Sequence, residues 1–150
     1  MLKRIAPIAL CAAVVAAATA ASFAQSEAPK QTKGIELGGY CPVAYLAMNQ
    51  AVKGNPQQKA IHNGKTYHLT NVEARKMFEA APEKYLPAYS GLCATAVAHG
   101  MKLEADPKLF TVHDGKAYLF SNAEAKAIFD KDKAGTIAKA DKSWATLSKQ

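Results

Sequence analysis

The sequence is short of the residues that usually announce chemistry. It has three cysteines and one tryptophan in 150 residues, and no two cysteines form the Cys-x-x-Cys pair that most directly tunes a thiol for redox work. There is no glycine-rich phosphate loop, no His-Glu-x-x-His and no serine in a nucleophile elbow. Acidic residues are fewer than basic ones, 12 against 19. Among them Glu36, Glu104, Asp106 and Asp114 fall in segments that read as surface turns, where an isolated carboxylate is a solvated side chain. The lysines are spread along helix faces and form no run, which speaks against a nucleic-acid groove. After Ala24 no apolar stretch approaches the roughly 20 residues that a membrane span needs. These absences put a binding role ahead of an enzymatic one.

Residues 1–24 supply the longest apolar run. Lys3 and Arg4 precede a stretch of Ala, Val, Leu and Ile that ends in Ser22-Phe23-Ala24, the small-x-small pattern of a secretory signal cleaved before Gln25. The expectation is a periplasmic or secreted protein with Cys11 as part of the signal. Lys3 and Arg4 account for two of the formal +7 charges, leaving the exported chain mildly basic. Residues 25–34 are polar and read as a flexible leader. Residues 35–150 are enough chain for one core.

What the sequence does have is a phrase written twice. Residues 62–78 read HNGKTYHLTNVEARKMF and residues 113–129 read HDGKAYLFSNAEAKAIF. At a constant shift of 51, His62 matches His113, Lys65 matches Lys116, Tyr67 matches Tyr118, Asn71 matches Asn122 and Phe78 matches Phe129. Asn63-Gly64 and Asp114-Gly115 sit between apolar arms and predict type I′ hairpin turns, because both central residues need positive φ. Thr70-x-x-Glu73 and Ser121-x-x-Glu124 read as capping boxes that open helices. Ala74, Met77 and Phe78, and likewise Ala125, Ile128 and Phe129, form one apolar face at 3–4 spacing.

The duplication reaches upstream to Asn55-Pro56 and Asp106-Pro107, and to Gly39-Tyr40-Cys41 and Gly91-Leu92-Cys93. The expected fold is therefore α+β, with two pseudo-symmetric hairpin–helix units, about 39–87 and 88–135, packed around an approximate two-fold. Ala80 to Pro87 reads as a helix end and a proline-bounded turn. Tyr89 to His99 reads as a small-residue linking helix stopped by Gly100, with Cys93 inside it. A C-terminal helix docks through Trp144.

These residues resemble the YHS domain family. Gly39-Tyr40-Cys41-Pro42-Val43-Ala44-Tyr45, the hairpin from Asn63 to His68, the helix ending in Phe78 and Ala81-Pro82-Glu83-Lys84-Tyr85 carry the likeness. It is similar in particular to the exported branch, in which a Tyr-x-Gly-x-Cys-Ala segment comes next, here Tyr89 to Ala94. The likeness spans roughly 36–147. A cysteine-rich branch, attached to copper-transporting ATPases, holds metal through three cysteines. The matching positions here are Ala44, Thr70 and Ala74, which cannot ligate a soft metal, and Cys41 stands where exported relatives have Asp. Any metal held by this chain uses other atoms.

Cys41 and Cys93 occupy equivalent places, and three readings stay open. They form a structural disulfide stapling a module that binds a small molecule or protein; they bind copper or another thiophilic metal, the family-linked reading and the leading one for function; or Cys93 is a redox thiol. His68 and His99 are the imidazoles placed with the cysteines as metal candidates, with His62 and His113 as weaker ones. His68 is matched by Leu119 in the second copy, which marks a core-like position. Tyr40, Tyr45, Tyr67 and Tyr89 are candidates for a ligand pocket between the halves. Their alternative is core packing with the hydroxyl on a backbone partner. The partner expected is a metal ion or a small molecule.

Overall fold

A computed structural model describes residues 34–150. The signal segment at 1–24 and all but the last residue of the 25–34 leader lie outside the described residues. Among the described residues the architecture is mixed α and β, two antiparallel hairpins with six helices packed around them.

The first unit opens with a 3-10 turn at Glu36–Gly39, then α1 (Pro42–Met48), strands β1 (Asn55–His62) and β2 (Lys65–Leu69), α2 (Val72–Ala80) and the short α3 (Pro82–Tyr85). The second repeats the order: a 3-10 turn at Ala88–Gly91, α4 (Ala94–Ala98), β3 (Asp106–His113), β4 (Lys116–Phe120) and α5 (Ala123–Lys131). Helix α6 (Lys133–Leu147) completes the chain of elements.

Both hairpin turns have the expected backbone, with φ of 50° and 74° at Asn63 and Gly64 and 47° and 68° at Asp114 and Gly115. The hairpins also share an irregularity. Pairing slips between Asn55 and Lys59 in one, and between Asp106 and Phe110 in the other. Pro56 and Pro107 sit in these slips, where the missing N–H breaks no ladder bond. The Asn55 side chain accepts a hydrogen bond from the Gln57 amide, and that of Asp106 from the Lys108 amide, both at 2.9 Å.

The helix starts differ from the capping-box reading by one residue. Asn71 and Asn122 are the caps, their Oδ1 atoms accepting from the amides of Ala74 (2.8 Å) and Ala125 (2.7 Å). A short amide side chain at an extended residue reaches those amides, so the Thr70 and Ser121 hydroxyls stay free for other contacts. The helix faces are also narrower than expected. Ala74, Phe78, Ala125 and Phe129 are buried, whereas Met77 and Ile128 are 41% and 53% exposed.

The linking helix is much shorter than the sequence implies. Tyr89, Ser90 and Gly91 all take positive φ (54°, 55° and 79°), so no right-handed helix can begin there. Cys93 is the N-cap of α4, and only Ala94–Ala98 is helical. The first unit does the same thing at the equivalent place, where Leu37, Gly38 and Gly39 have φ of 55°, 57° and 79° and Cys41 caps α1. Gly100 ends α4 as expected, its φ of 75° letting Met101 N–H return to the Ala96 carbonyl at 3.0 Å.

Two core clusters result. Tyr67, Leu69, Phe78, Tyr45, Val43 and Cys41 build the first; Tyr118, Phe120, Phe129, Val97, Ala140 and Cys93 build the second. Strand β4 serves both, because Ala117 and Leu119 on one face join the first cluster while Tyr118 and Phe120 on the other join the second. The joint between units is reinforced by Tyr45, whose hydroxyl donates to the Pro107 carbonyl at 2.8 Å and whose ring meets Phe110 edge-on at 5.0 Å. Among the described residues no helix is long and apolar enough to cross a membrane.

Candidate functional site

The sulfur atoms come first, since the sequence singled them out. Cys41 and Cys93 are both free thiols and both buried, at 0% and 1% exposure. They belong to different core clusters. Each faces the hydroxyl that the Asn caps left available: Cys41 Sγ lies 4.0 Å from Thr70 Oγ1, and Ser121 Oγ lies 3.4 Å from Cys93 Sγ. Thr70 and Ser121 are themselves repeat equivalents, so the thiol–hydroxyl pair is a duplicated core feature.

A shared metal ion needs donors that converge. Among the described residues no group of three or more His, Cys, Asp or Glu side chains does so. His99 is an exposed residue at the end of α4. His68 is buried at 7% exposure, with Nε2 lacking a hydrogen-bond partner. Gly39 and Gly54 close over it; a Cβ on Gly54 would fall 2.4 Å from the His68 carbonyl carbon. Burial holds its pKa below the usual 6.5, assisted by Lys59 and Lys53. Cys41, Cys93, His68 and His99 are thus not gathered into one such group among the described residues. His113 lies at the second hairpin turn, 3.4 Å from the exposed Asp114 carboxylate.

The tyrosines divide. Tyr45 is fully buried and spends its hydroxyl on Pro107. Tyr89 donates to Asp141 of α6 at 2.8 Å, and burial and that bond both raise its pKa. Tyr40 is buried beneath the Lys53 ammonium, 4.4 Å above its ring. Tyr67 borders open space, in a cleft of about 260 Å³ where the two units and α6 meet.

That cleft is built by duplicated elements. The left-handed turns of the two units form part of its wall: Leu37 from the first, Ser90 from the second. They press on each other so closely that a Cβ on Gly91 would lie 2.8 Å from Leu37 Cδ2. Three non-glycine residues, Leu37, Tyr89 and Ser90, hold the left-handed conformation here, at roughly 1–3 kcal/mol each. Strain of that size, placed twice at one location, is a mark of a shaped site. A second depression of about 260 Å³ shares Glu36, Leu37, Lys65 and Ser90 and continues toward Gly91 and Leu119.

The two hairpin turns also deliver equivalent lysines, Lys65 and Lys116, to the same cleft. Lys65 Nζ pairs with Glu36 Oε2 at 3.2 Å. His62 Nε2 lies 2.7 Å from Glu83 Oε1, and Lys116 Nζ donates to the Glu83 backbone carbonyl at 2.9 Å. These pairs are solvent-exposed and each is worth little, so a ligand can exchange them. Trp144 and Tyr67 supply flat apolar surface beside them. Burial, with Glu36 and Glu83 nearby, pushes the Tyr67 pKa up to about 12, so its hydroxyl stays protonated.

Sequence reasoning named Tyr67 as a pocket residue and His62 as a weaker metal candidate, and did not bring them together with the rest of this cleft. The available signal was the His-x-Gly-Lys phrase itself, which puts a lysine directly after each hairpin turn. Compared with known proteins, the chain matches no family model, no curated protein and no solved structure.

Proposed function

We propose that this protein is a non-catalytic binding module, exported to the periplasm or secreted, that takes a small molecule in the cleft between its two repeats. The observation that carries this reading is the convergence of both left-handed turns and both hairpin-tip lysines on one opening. Such a place, concave and bordered by apolar, aromatic and a few polar groups, is where small ligands bind. The thiol-centred alternatives, copper or redox chemistry, would require Cys41 or Cys93 to become accessible, and a buried thiol is ordinarily inert.

The test is a fragment screen with amide chemical-shift mapping on residues 25–150. Saturable shifts gathered at Leu37, Lys65, Ser90 and the Trp144 indole support the reading. Shifts gathered elsewhere, or none across a chemically diverse set, overturn it.

A further inference from the structure

The charges around the cleft are not balanced in how they are used. Glu36 is occupied by Lys65, and the Glu83 carboxylate by His62. Lys116, by contrast, has only a backbone carbonyl for a partner, the Glu83 oxygen at 2.9 Å. Among the described residues its ammonium makes no ion pair with a carboxylate. Two hydroxyl-bearing residues, Tyr67 and Ser90, border the same space. A hydroxyl can donate to an anion at little desolvation penalty when it already faces solvent, as Ser90 does. The apolar part of the wall comes from Leu37, Leu86, Pro87 and Trp144, and Asn63 adds a polar side chain beside His62.

We infer that the ligand is a small organic carboxylate with an aromatic or branched apolar body, its anion seated on Lys116 and its body against Trp144. An ammonium-to-carboxylate bond is charge-assisted and about twice as strong as a neutral one. Of the two carboxylates nearby, Glu36 is offset by the Lys65 ammonium, and Glu83 hydrogen-bonds to the His62 imidazole, which offsets its charge only when that ring is protonated. A ligand amine would have to displace one of those partners, whereas a ligand carboxylate only replaces a backbone carbonyl at Lys116. The size of the cleft limits the body to less than a drug-sized molecule.

This inference rests on the cleft reading, and charge selectivity separates the two. Trp144 is the only tryptophan, so its fluorescence reports the cleft without labelling. The probes are phenylacetate, phenylacetamide and phenethylamine, titrated to about 10 mM, where even a Kd near 1 mM saturates. Phenylacetate is expected to bind about tenfold or more tightly than either analogue, and Lys116→Gln to remove that preference while Lys116→Arg keeps it. Circular dichroism and the thermal midpoint check that each variant folds. Equal binding of phenylacetate and phenylacetamide at the cleft would overturn the carboxylate inference and leave the cleft reading standing. Absence of saturable phenylacetate binding overturns the inference as well, and the fragment screen then decides whether the cleft falls with it.

Discussion

The two repeats use the same local devices and solve the problem of burying their first helix differently. In the first unit α1 is covered by the second unit: Tyr45 reaches Pro107 and Phe110, and Ala117 and Leu119 of β4 complete the cluster around it. In the second unit the equivalent of Tyr45 is Val97, which is fully buried and has no hydroxyl to reach outward. Its helix α4 is instead packed along α6, with Thr136, Ala140 and Leu147 turned inward. Duplication alone makes two half-buried units; the appended helix closes the second. The same asymmetry appears in the strands. β4 is apolar on both faces because both clusters claim it, whereas β2 carries His68 where β4 has Leu119. A sequence repeat therefore predicts local structure well and tertiary role poorly.

The largest expected effect is on α6. Removing residues 133–150 strips the cover from Val97 and the second cluster, and should cost more stability than any single substitution in either unit. Chemical denaturation checks this, and hydrogen exchange should show α4 and α5 losing protection before β1, β2 and α2. Next in size are the matched aromatic anchors. Phe78→Ala and Phe129→Ala each empty a fully buried site and should each cost about 3–5 kcal/mol. Equal losses would mean that the two clusters are energetically equivalent despite their different covers.

The joint is tested by Tyr45→Phe. It removes one hydroxyl and leaves the Pro107 carbonyl without its partner, at about 1–3 kcal/mol by urea denaturation. Smaller still, Asn71→Ala and Asn122→Ala should each cost about 1 kcal/mol as lost caps, while Thr70→Ala should cost less because its hydroxyl caps nothing.

His68→Leu gives the second repeat's residue to the first and tests the difference between β2 and β4 by pH. The folded pKa of His68 lies below 6.5 and the unfolded one near it. Below about pH 6.5 the unfolded chain therefore binds the proton more readily than the folded one. His68 thus withdraws stability as the pH falls through 6.5, down to its folded pKa. The leucine variant should flatten that part of the stability profile and leave its slope above pH 7 unchanged.

How much of this was legible depended on whether backbone chemistry or packing made the decision. Asn63-Gly64 and Asp114-Gly115 dictate their turns locally, and both hairpins lie where the sequence puts them. The caps were missed by one residue because Thr70 and Asn71 are both good N-caps, and only the chain direction chooses between them. The linking helix was misjudged for a different reason. Nothing about Tyr89 or Ser90 announces a left-handed backbone, which tertiary contact imposes on them. Met77 and Ile128 have the right helical spacing, but α2 and α5 each bury a narrower stripe than the pattern allows. Cys41 and Cys93, for which the sequence left a disulfide or a shared metal site open, are free thiols in two different clusters, each beside the hydroxyl of Thr70 or Ser121. The cleft was the least legible feature, since its walls come from positions 36 to 144 and depend on how the units dock.

If the contact of Leu37 with Gly91 shapes a binding cleft, the two equivalent glycines supply both the test and its control. Gly39→Ala and Gly91→Ala impose the same backbone strain at φ of 79°, but only at Gly91 does the new methyl meet a cleft side chain, 2.8 Å from Leu37 Cδ2; at Gly39 its nearest neighbour is His68 Nδ1 at 3.6 Å. Shift mapping with a cleft-binding fragment should find binding lost in Gly91→Ala and retained in Gly39→Ala, in proteins of similar thermal midpoint. Retained binding in both variants, or loss in Gly39→Ala alone, would contradict the account.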